Sequence, residues 1–329
     1  MLSWSTYFMC EELKKRGYST ISFDNQFIVH VSKNDKHFYI HAGNGPREQM
    51  ATYMLCRNKY TMKQVVTKFG FPTSKFMKIT PKTTDDVSQL QFPLVLKPLD
   101  RFGGTGVVVG IISLEDVRKY FEKHPTYEEA LAEEMLEGED TRILIVRGKF
   151  FAGAKRIPAF VNGDGAHTIQ ELVWIENERR AKIKADDEKN QTYTTDLDLI
   201  LFDDDSLSLL QETGLSAQSI PKVGQRVFVR KNANTSTGGI SIDVTDQVGP
   251  EIRSQCEQLA EVLDMGLAGI DVMTKDLSKP LNIEERSGII EVNSSPGLDL
   301  HILTDEGQRH NPVPLIVDEI EEYLAKEDK

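Results

Sequence analysis

The feature that most constrains this chain is a pair of carboxylates set inside apolar runs of strand type towards its C-terminal end. Residues 267–274 read LAGIDVMT and residues 288–293 read GIIEVN, both rich in the branched side chains that suit a pleated, buried surface. Side chains alternate along a strand, so Glu291 and Asn293, two apart, project from one face. Asp271 interrupts the first run, and pairing of the two strands would bring its carboxylate to the other two. Two carboxylates and an amide oxygen are the hard ligands that a magnesium ion shared with phosphates takes. Burying two carboxylates with no cation would be costly. Solvated carboxylates at strand ends explain each residue taken alone; the apolar surroundings of both favour the metal.

A possible phosphate site lies upstream. Lys97 ends the apolar run PLVLK, and an ammonium leaving a buried strand can reach a phosphate as a point charge. The loop RFGGTG that follows holds Gly103, Gly104, Thr105 and Gly106, whose backbone amides can fold over phosphates. It matches neither GxxxxGKS/T nor GxGxxG, which excludes a P-loop and a dinucleotide fingerprint. On its own the loop is equally well read as a hairpin turn.

The 329 residues are enough for two or three lobes. Residues 1–57 read as a short N-terminal α/β segment: a helix from Tyr7 to Arg16 stopped by Gly17, then a hairpin of FIVHV and HFYIH. Residues 58–329 read as the main domain, with a nucleotide lobe over 58–137 and a metal and substrate lobe over 138–329. In the first lobe Met62, Val65, Val66 and Phe69 make a helical stripe closed by Gly70, and Ser113 caps a helix with Asp116 at its third position. In the second, a hairpin turns at Gly148, a helix runs from Pro250 to Met265 with Gly266 as its stop, and a last helix covers Val313–Lys326. Between them, about 170–222 reads as a charged helical insertion, polar enough around DDEKNQTYTTDLD to be partly mobile.

A net charge of −12 argues against a general nucleic-acid or anionic-membrane partner. Cys10, Cys56 and Cys256 are scattered, without zinc spacing or a disulfide pattern, and Cys256 sits in an apolar helical stripe. The N-terminus lacks a signal-peptide pattern and no apolar run approaches a bilayer span, so a cytoplasmic location is the expectation. His167, after a glycine-rich turn, reads as structural, while His301 has an even claim to face substrate.

In their order, FPLVLKPLDRFGGTGV, AEEMLEGEDTRILIV, KRIPAFVNGDGAHTIQELV, NANTSTGGISIDVTD, AGIDVM and IIEVNSSPGLDLH resemble the ATP-grasp superfamily. The likeness is closest to the grasp modules of cyanophycin synthetase and of the bifunctional glutamate–cysteine ligase/glutathione synthetase, and spans about residues 58–325. It implies an α+β fold in which two lobes with antiparallel sheets clasp a nucleotide. By that resemblance Lys59, or Lys63 four residues on, and Lys97 are phosphate-contacting lysines. Glu133, Glu134 and Leu136 hold adenine through main-chain groups, with Asp140 or Glu139 near the ribose. Arg142 and Arg156 stand near the transferred phosphate or a substrate carboxylate, and Asn234 lines the acceptor side, with Gly238 and Gly239 allowing close approach. Asp271, Glu291 and Asn293 match ligands for two Mg²⁺ ions, with Mn²⁺ as a substitute.

The implied activity is ATP-dependent joining of an amino-acid or peptide carboxylate to an amine through an acylphosphate, releasing ADP and phosphate. Such chemistry needs no protein nucleophile, consistent with the absence of a Ser/His/Asp or Cys/His constellation. A grasp-fold kinase and a nucleotide-holding regulatory protein are the alternatives. Small-molecule substrates are the expected partners, and a homodimer or homotetramer is the assembly implied by analogy.

Overall fold

Caps and turn residues written into the sequence set most of the element boundaries. The computed structural model describes residues 2–99, 101, 105–190, 195 and 197–327. In chain order it holds α1 (Trp4–Lys15), β1 (Ser19–Phe23), β2 (Asn25–Lys33), β3 (Lys36–His41), α2 (Met50–Arg57) and α3 (Lys59–Lys68). Next come β4 (Phe76–Ile79), β5 (Leu94–Lys97), β6 (Val108–Ile111), α4 (Leu114–Lys123), β7 (Ala130–Glu134), β8 (Glu139–Val146) and β9 (Lys149–Ile157). They are followed by β10 (Phe160–Asn162), α5 (Ile169–Asn190), α6 (Asp204–Glu212), β11 (Arg226–Phe228) and β12 (Ile240–Asp243). The chain ends with α7 (Pro250–Val262), β13 (Leu267–Thr274), β14 (Gly288–Asn293), α8 (Asp299–Ile302) and α9 (Val313–Glu327).

The Ser113 cap is present: its hydroxyl accepts the Asp116 N–H and donates to the Asp116 carboxylate. The β8–β9 hairpin turns on Arg147 and Gly148, both in the left-handed region as a tight two-residue turn requires. One stop differs from the sequence reading. Helix α7 ends at Val262, and the left-handed residue that reverses the chain is Asp264, not Gly266. Aspartate tolerates that conformation better than most residues. A Cβ on Gly266 would fall 2.7 Å from the Glu319 carboxylate, so that glycine serves packing instead.

The chain forms two compact units. The first comprises residues 1–153, 244–302 and 310–329 and contains three sheets. One is the antiparallel β1-β2-β3 meander, whose Val29, Val31, Phe38 and Ile40 pack with α1 and α9. The second, in the order β4-β7-β5-β6, lies against α4 around Leu94, Leu96, Val117 and Tyr120. In the third, β8, β13 and β14 lie side by side. One face of that sheet (Ile143, Ile145, Ala268, Ile270, Val272, Val292) packs with Ile252, Cys256 and Leu259 of α7. On the opposite face Leu144, Val146 and Leu267 pack with α1 and α9, and polar side chains follow further along the same strands.

The second unit comprises residues 154–243 and 303–309. The last residues of β9 pair there with β12, β10 pairs with β11, and Ala159, Val161, Ile169, Leu172, Leu210, Val227 and Val229 form a core of its own. Within it, Arg180 of α5 is buried and donates to the carbonyls of Asp198 and Gly238. Among the described residues no helix is long and apolar enough to cross a membrane.

Candidate active site

Strand register assembles the first half of the site. In the antiparallel pairing of β13 with β14, Asp271 lies directly opposite Glu291 and Gly269 opposite Asn293. On its other side, β13 sets Asp271 opposite Arg142 and Met273 opposite Asp140 of β8. Arg142, Asp271 and Glu291 therefore form a row across three neighbouring strands, on the face turned away from α7. Arg142 grips Asp271 with two bonds, Nε to Oδ1 and Nη2 to Oδ2, the second at 3.0 Å. Both partners are buried. At the far end, Lys59 Nζ lies 3.0 Å from Glu291 Oε1. The row thus reads cation, anion, anion, cation.

Gly269 makes the arginine's position possible. A Cβ there would come within 3.0 Å of Arg142 Cδ and Nη1 and within 2.7 Å of Pro296 Cβ. A side chain at 269 would push the guanidinium off Asp271.

The second half gathers around Glu133. Its main chain sits inside the sheet, opposite Phe76 on one side and Val95 on the other, so the group it presents is its side chain. That carboxylate bonds Lys97 Nζ through Oε1 and lies 2.5 Å from Lys63 Nζ through Oε2, which also accepts the Ser74 hydroxyl at 3.0 Å. Burial alone would raise the Glu133 carboxyl, but the attraction and hydrogen bonds of the two lysines prevail and hold it down at about 2. For Lys97, burial works against the charged form, yet the attraction of Glu133, with smaller contributions from Glu291 and Asp140, raises it above the ordinary lysine value. Lys63 moves the other way, lowered chiefly by burial.

The glycine loop is fixed at both ends. Lys59 Nζ donates to the Arg101 carbonyl at 2.7 Å, and the Tyr120 hydroxyl donates to the Gly106 carbonyl at 3.0 Å. Gly106 has a φ of 72° and lies against Tyr127, where a Cβ would be 2.6 Å from the phenol oxygen. Thr105 is exposed beside it; Gly103 and Gly104 lie outside the described residues.

Between β7 and β8 the chain crosses a short connection. The N–H groups of Glu134, Met135 and Glu137 bond the carbonyls of Lys75, Pro93 and Arg286. The Leu136 N–H between them has no partner among the described residues. A residue that sequence reasoning missed holds this connection in place. Arg286, left-handed at φ 55°, donates from Nε and Nη2 to the Met135 carbonyl at 3.2 and 2.5 Å. No motif flags an arginine inside IEERSG. The Glu134 side chain turns outward and accepts the Gln91 N–H. Asp140 and Glu139 begin β8, Asp140 on the face of the charged row.

The remaining sequence candidates lie on other elements. Arg156 is on the part of β9 in the second unit, opposite Ser241 of β12. Asn234 precedes a helical turn there, and its carbonyl accepts the N–H groups of Thr237 and Gly239. Gly238 and Gly239 allow close approach of the chain to itself: Cβ atoms there would fall 2.5 Å from Ile200 Cα and 2.8 Å from the Asn234 and Ile157 carbonyls. His301 is buried in α8. His167 is exposed and pairs through Nδ1 with Asp164 at 2.6 Å, a partner three residues earlier that the sequence reading did not find.

No group of three or more His, Cys, Asp or Glu side chains among the described residues makes a ready-formed metal cage. The donor set on β13 and β14 nonetheless has the chemistry for a hard cation: two opposed carboxylates, and an amide two residues along the same face. In the structure, tethered cations hold the carboxylates' charge.

No family model matches the chain. It is 32% identical over 277 residues to cyanophycin synthetase of Crocosphaera subtropica, an alignment covering 82% of this chain and 30% of that protein. Among solved structures it resembles a bifunctional glutathione synthetase from Pasteurella multocida, with a TM-score of 0.67, 24% identity, and coverage of 98% of this chain and 44% of that one. It also resembles the ATP-grasp ligase PsnB complexed with minimal precursor, with a TM-score of 0.52, 10% identity, and coverage of 98% and 95%. The structural likenesses establish the fold. The chain spans about a third of the length of the curated relatives it matches.

Proposed function

The chain belongs to the ATP-grasp superfamily, and from that premise we propose that it is an ATP-dependent carboxylate–amine ligase. In this reading it joins an amino-acid or peptide carboxylate to an amine and releases ADP and phosphate. One observation carries the reading: the row Arg142, Asp271, Glu291 and Lys59, with the Lys97–Glu133–Lys63 group beside it. This many fixed charges around a strand face, with no nucleophile among them, suit the handling of phosphate rather than attack on a substrate by the protein.

The roles follow from the contacts. Lys97 supplies positive charge to the nucleotide phosphates, and Lys59 links the glycine loop to the metal strand by bonding both Arg101 and Glu291. The Leu136 N–H, open and flanked by bonded neighbours, is the donor that reads the adenine edge, and Arg286 keeps that connection in register. Asp271, Glu291 and Asn293 would hold Mg²⁺, which when bound neutralises phosphate charge. Arg142, released from Asp271, is placed to stabilise charge on the phosphoryl group or the substrate carboxylate. Residues 58–137 thus act as the nucleotide lobe. Arg156 and Asn234 are assigned to the substrate side by the motifs that carry them.

The substrate carboxylate is itself the nucleophile: it attacks the γ-phosphorus and ADP leaves. An amine then adds to the acylphosphate carbonyl and phosphate departs, with one proton lost from the amine. Catalysis by this chain is therefore positioning and charge neutralisation.

The test is incubation with Mg·ATP and pools of amino acids and short peptides, reading phosphate release and new amide masses. Phosphate released only with amino acid present, together with a condensed product, supports ligation. ADP accompanied by a phosphorylated alcohol and no amide overturns it in favour of a kinase.

A further inference from the structure

The Glu133 carboxylate faces two ammonium groups that are not equivalent. Lys63 has three N–H donors and three acceptors: Thr73 Oγ1 at 2.8 Å, Ser74 Oγ at 2.7 Å and Glu133 Oε2 at 2.5 Å. It has nothing left to offer a ligand. Lys97 bonds Glu133 Oε1 and has no other partner among the described residues, so two of its donors remain. Elsewhere in the site Arg142 pairs with Asp271 and Lys59 with Glu291. Here two cations share one anion at bonding distance. All three side chains are buried, so water does not disperse the imbalance.

We propose that Lys63 is an electrostatic positioning residue: by taking a share of Glu133 it leaves Lys97 under-neutralised, and that residual charge is what draws phosphate to Lys97. The proposal rests on the nucleotide-binding reading above and extends it to a residue that touches no ligand. Without Lys63, Lys97 and Glu133 close into a neutral pair, and an incoming phosphate must compete with a carboxylate that has no other cation. The neighbouring hydroxyls fit this role. Thr73 passes its own proton to the Ile289 carbonyl at 2.7 Å and Ser74 passes its proton to Glu133, so both keep their oxygen lone pairs for Lys63.

A purely structural account is also available, since Lys63 ties α3 to the segment ahead of β4 and to β7. Restoring the charge without restoring the tie separates the two. Binding of Mg·ATP and of adenosine is measured by calorimetry on the full chain. Lys63→Met is expected to weaken ATP by about tenfold or more and to leave adenosine within about twofold. Adding Glu133→Gln to Lys63→Met removes the competing anion, returns the cluster to one net positive charge, and should recover most of the lost ATP affinity. Lys63→Gln, an uncharged side chain one atom shorter that still carries N–H donors for the two hydroxyls, should behave as Lys63→Met does and serves if that variant does not fold. Equal ATP affinity in parent and single variants overturns the proposal, as does a double variant no tighter than Lys63→Met, or a parallel loss of adenosine. A parent chain that binds no ATP sinks the nucleotide reading itself.

Discussion

Arg142→Met gives the most demanding test of the charged row. The substitution removes the guanidinium while keeping an apolar stem of similar length, so Asp271, buried between β8 and β14, keeps its desolvation and loses the two charged bonds from Arg142. Breaking a buried pair from one side costs about 3–5 kcal/mol, far more than the pair's net worth, because an uncompensated charge stays behind. For a folding unit of this size each kcal/mol lowers the melting temperature by about 2–4 °C, which puts the expected loss at about 6–20 °C. The assay is thermal melting by circular dichroism at neutral pH, without metal, on the parent, Arg142→Met, Asp271→Asn and the double variant. The double variant, with neither charge, should melt above Arg142→Met despite carrying more changes. Two results refute the reasoning: Arg142→Met melting within about 2 °C of the parent, or a double variant no more stable than the single. Either would mean that water or another cation reaches Asp271.

Further outcomes follow from the same contacts. Lys97→Ala and Glu291→Gln should each abolish ATP-dependent phosphate release while keeping the parent's far-ultraviolet spectrum; turnover near the parent's in either would remove that residue from the site. The Glu133 carboxyl, at about 2, is depressed below its unfolded value, so its stabilisation is complete above the ordinary carboxylate range and is lost as pH falls towards the native value. Urea midpoints taken from about pH 6 down to about pH 3 should therefore fall more steeply for the parent than for Glu133→Gln, and parallel curves would contradict the assignment. Burial raises the Cys10 thiol and pushes those of Cys56 and Cys256 up to about 12, so none should react with a thiol reagent at mildly alkaline pH until the chain is denatured. Gly138→Ala should destabilise by more than about 2 kcal/mol in denaturant titrations: φ is 117° and a Cβ would lie 2.1 Å from the Thr274 carbonyl carbon.

What the sequence revealed of this site tracks how locally each part is encoded. The alternation that sets Glu291 and Asn293 on one face belongs to a single strand, and the apolar setting of Asp271 marked it as unusual before any pairing was known. The Ser113 cap and the hairpin at Gly148 are equally local. Arg142 was legible as a cation near the chemistry, but its grip on Asp271 depends on the β8–β13 register and on the missing side chain of Gly269, a relation between segments more than a hundred residues apart. The ambiguity between Lys59 and Lys63 had the same origin. Four residues apart on α3, they lie one turn from each other, and only tertiary partners show that one is saturated by Thr73, Ser74 and Glu133 while the other bridges Arg101 and Glu291. Arg286 acts through a left-handed backbone and a distant carbonyl, neither of which leaves a trace in composition.

The alternating row on β8, β13 and β14 bears on the order in which ligands are accepted. A divalent ion arriving alone at Asp271 and Glu291 would have to displace Arg142 and Lys59 from those carboxylates. A polyphosphate arriving alone would add anions to carboxylates that are already matched. Only the two together leave every charge with a partner, the displaced side chains turning from carboxylate to phosphate. On the proposed reading, metal and nucleotide must therefore promote each other's binding by the same factor, since linkage is reciprocal. The resting protein is then a poor chelator by construction, and its selectivity for the metal–nucleotide complex over either component resides in the counter-ions it carries within its own strands.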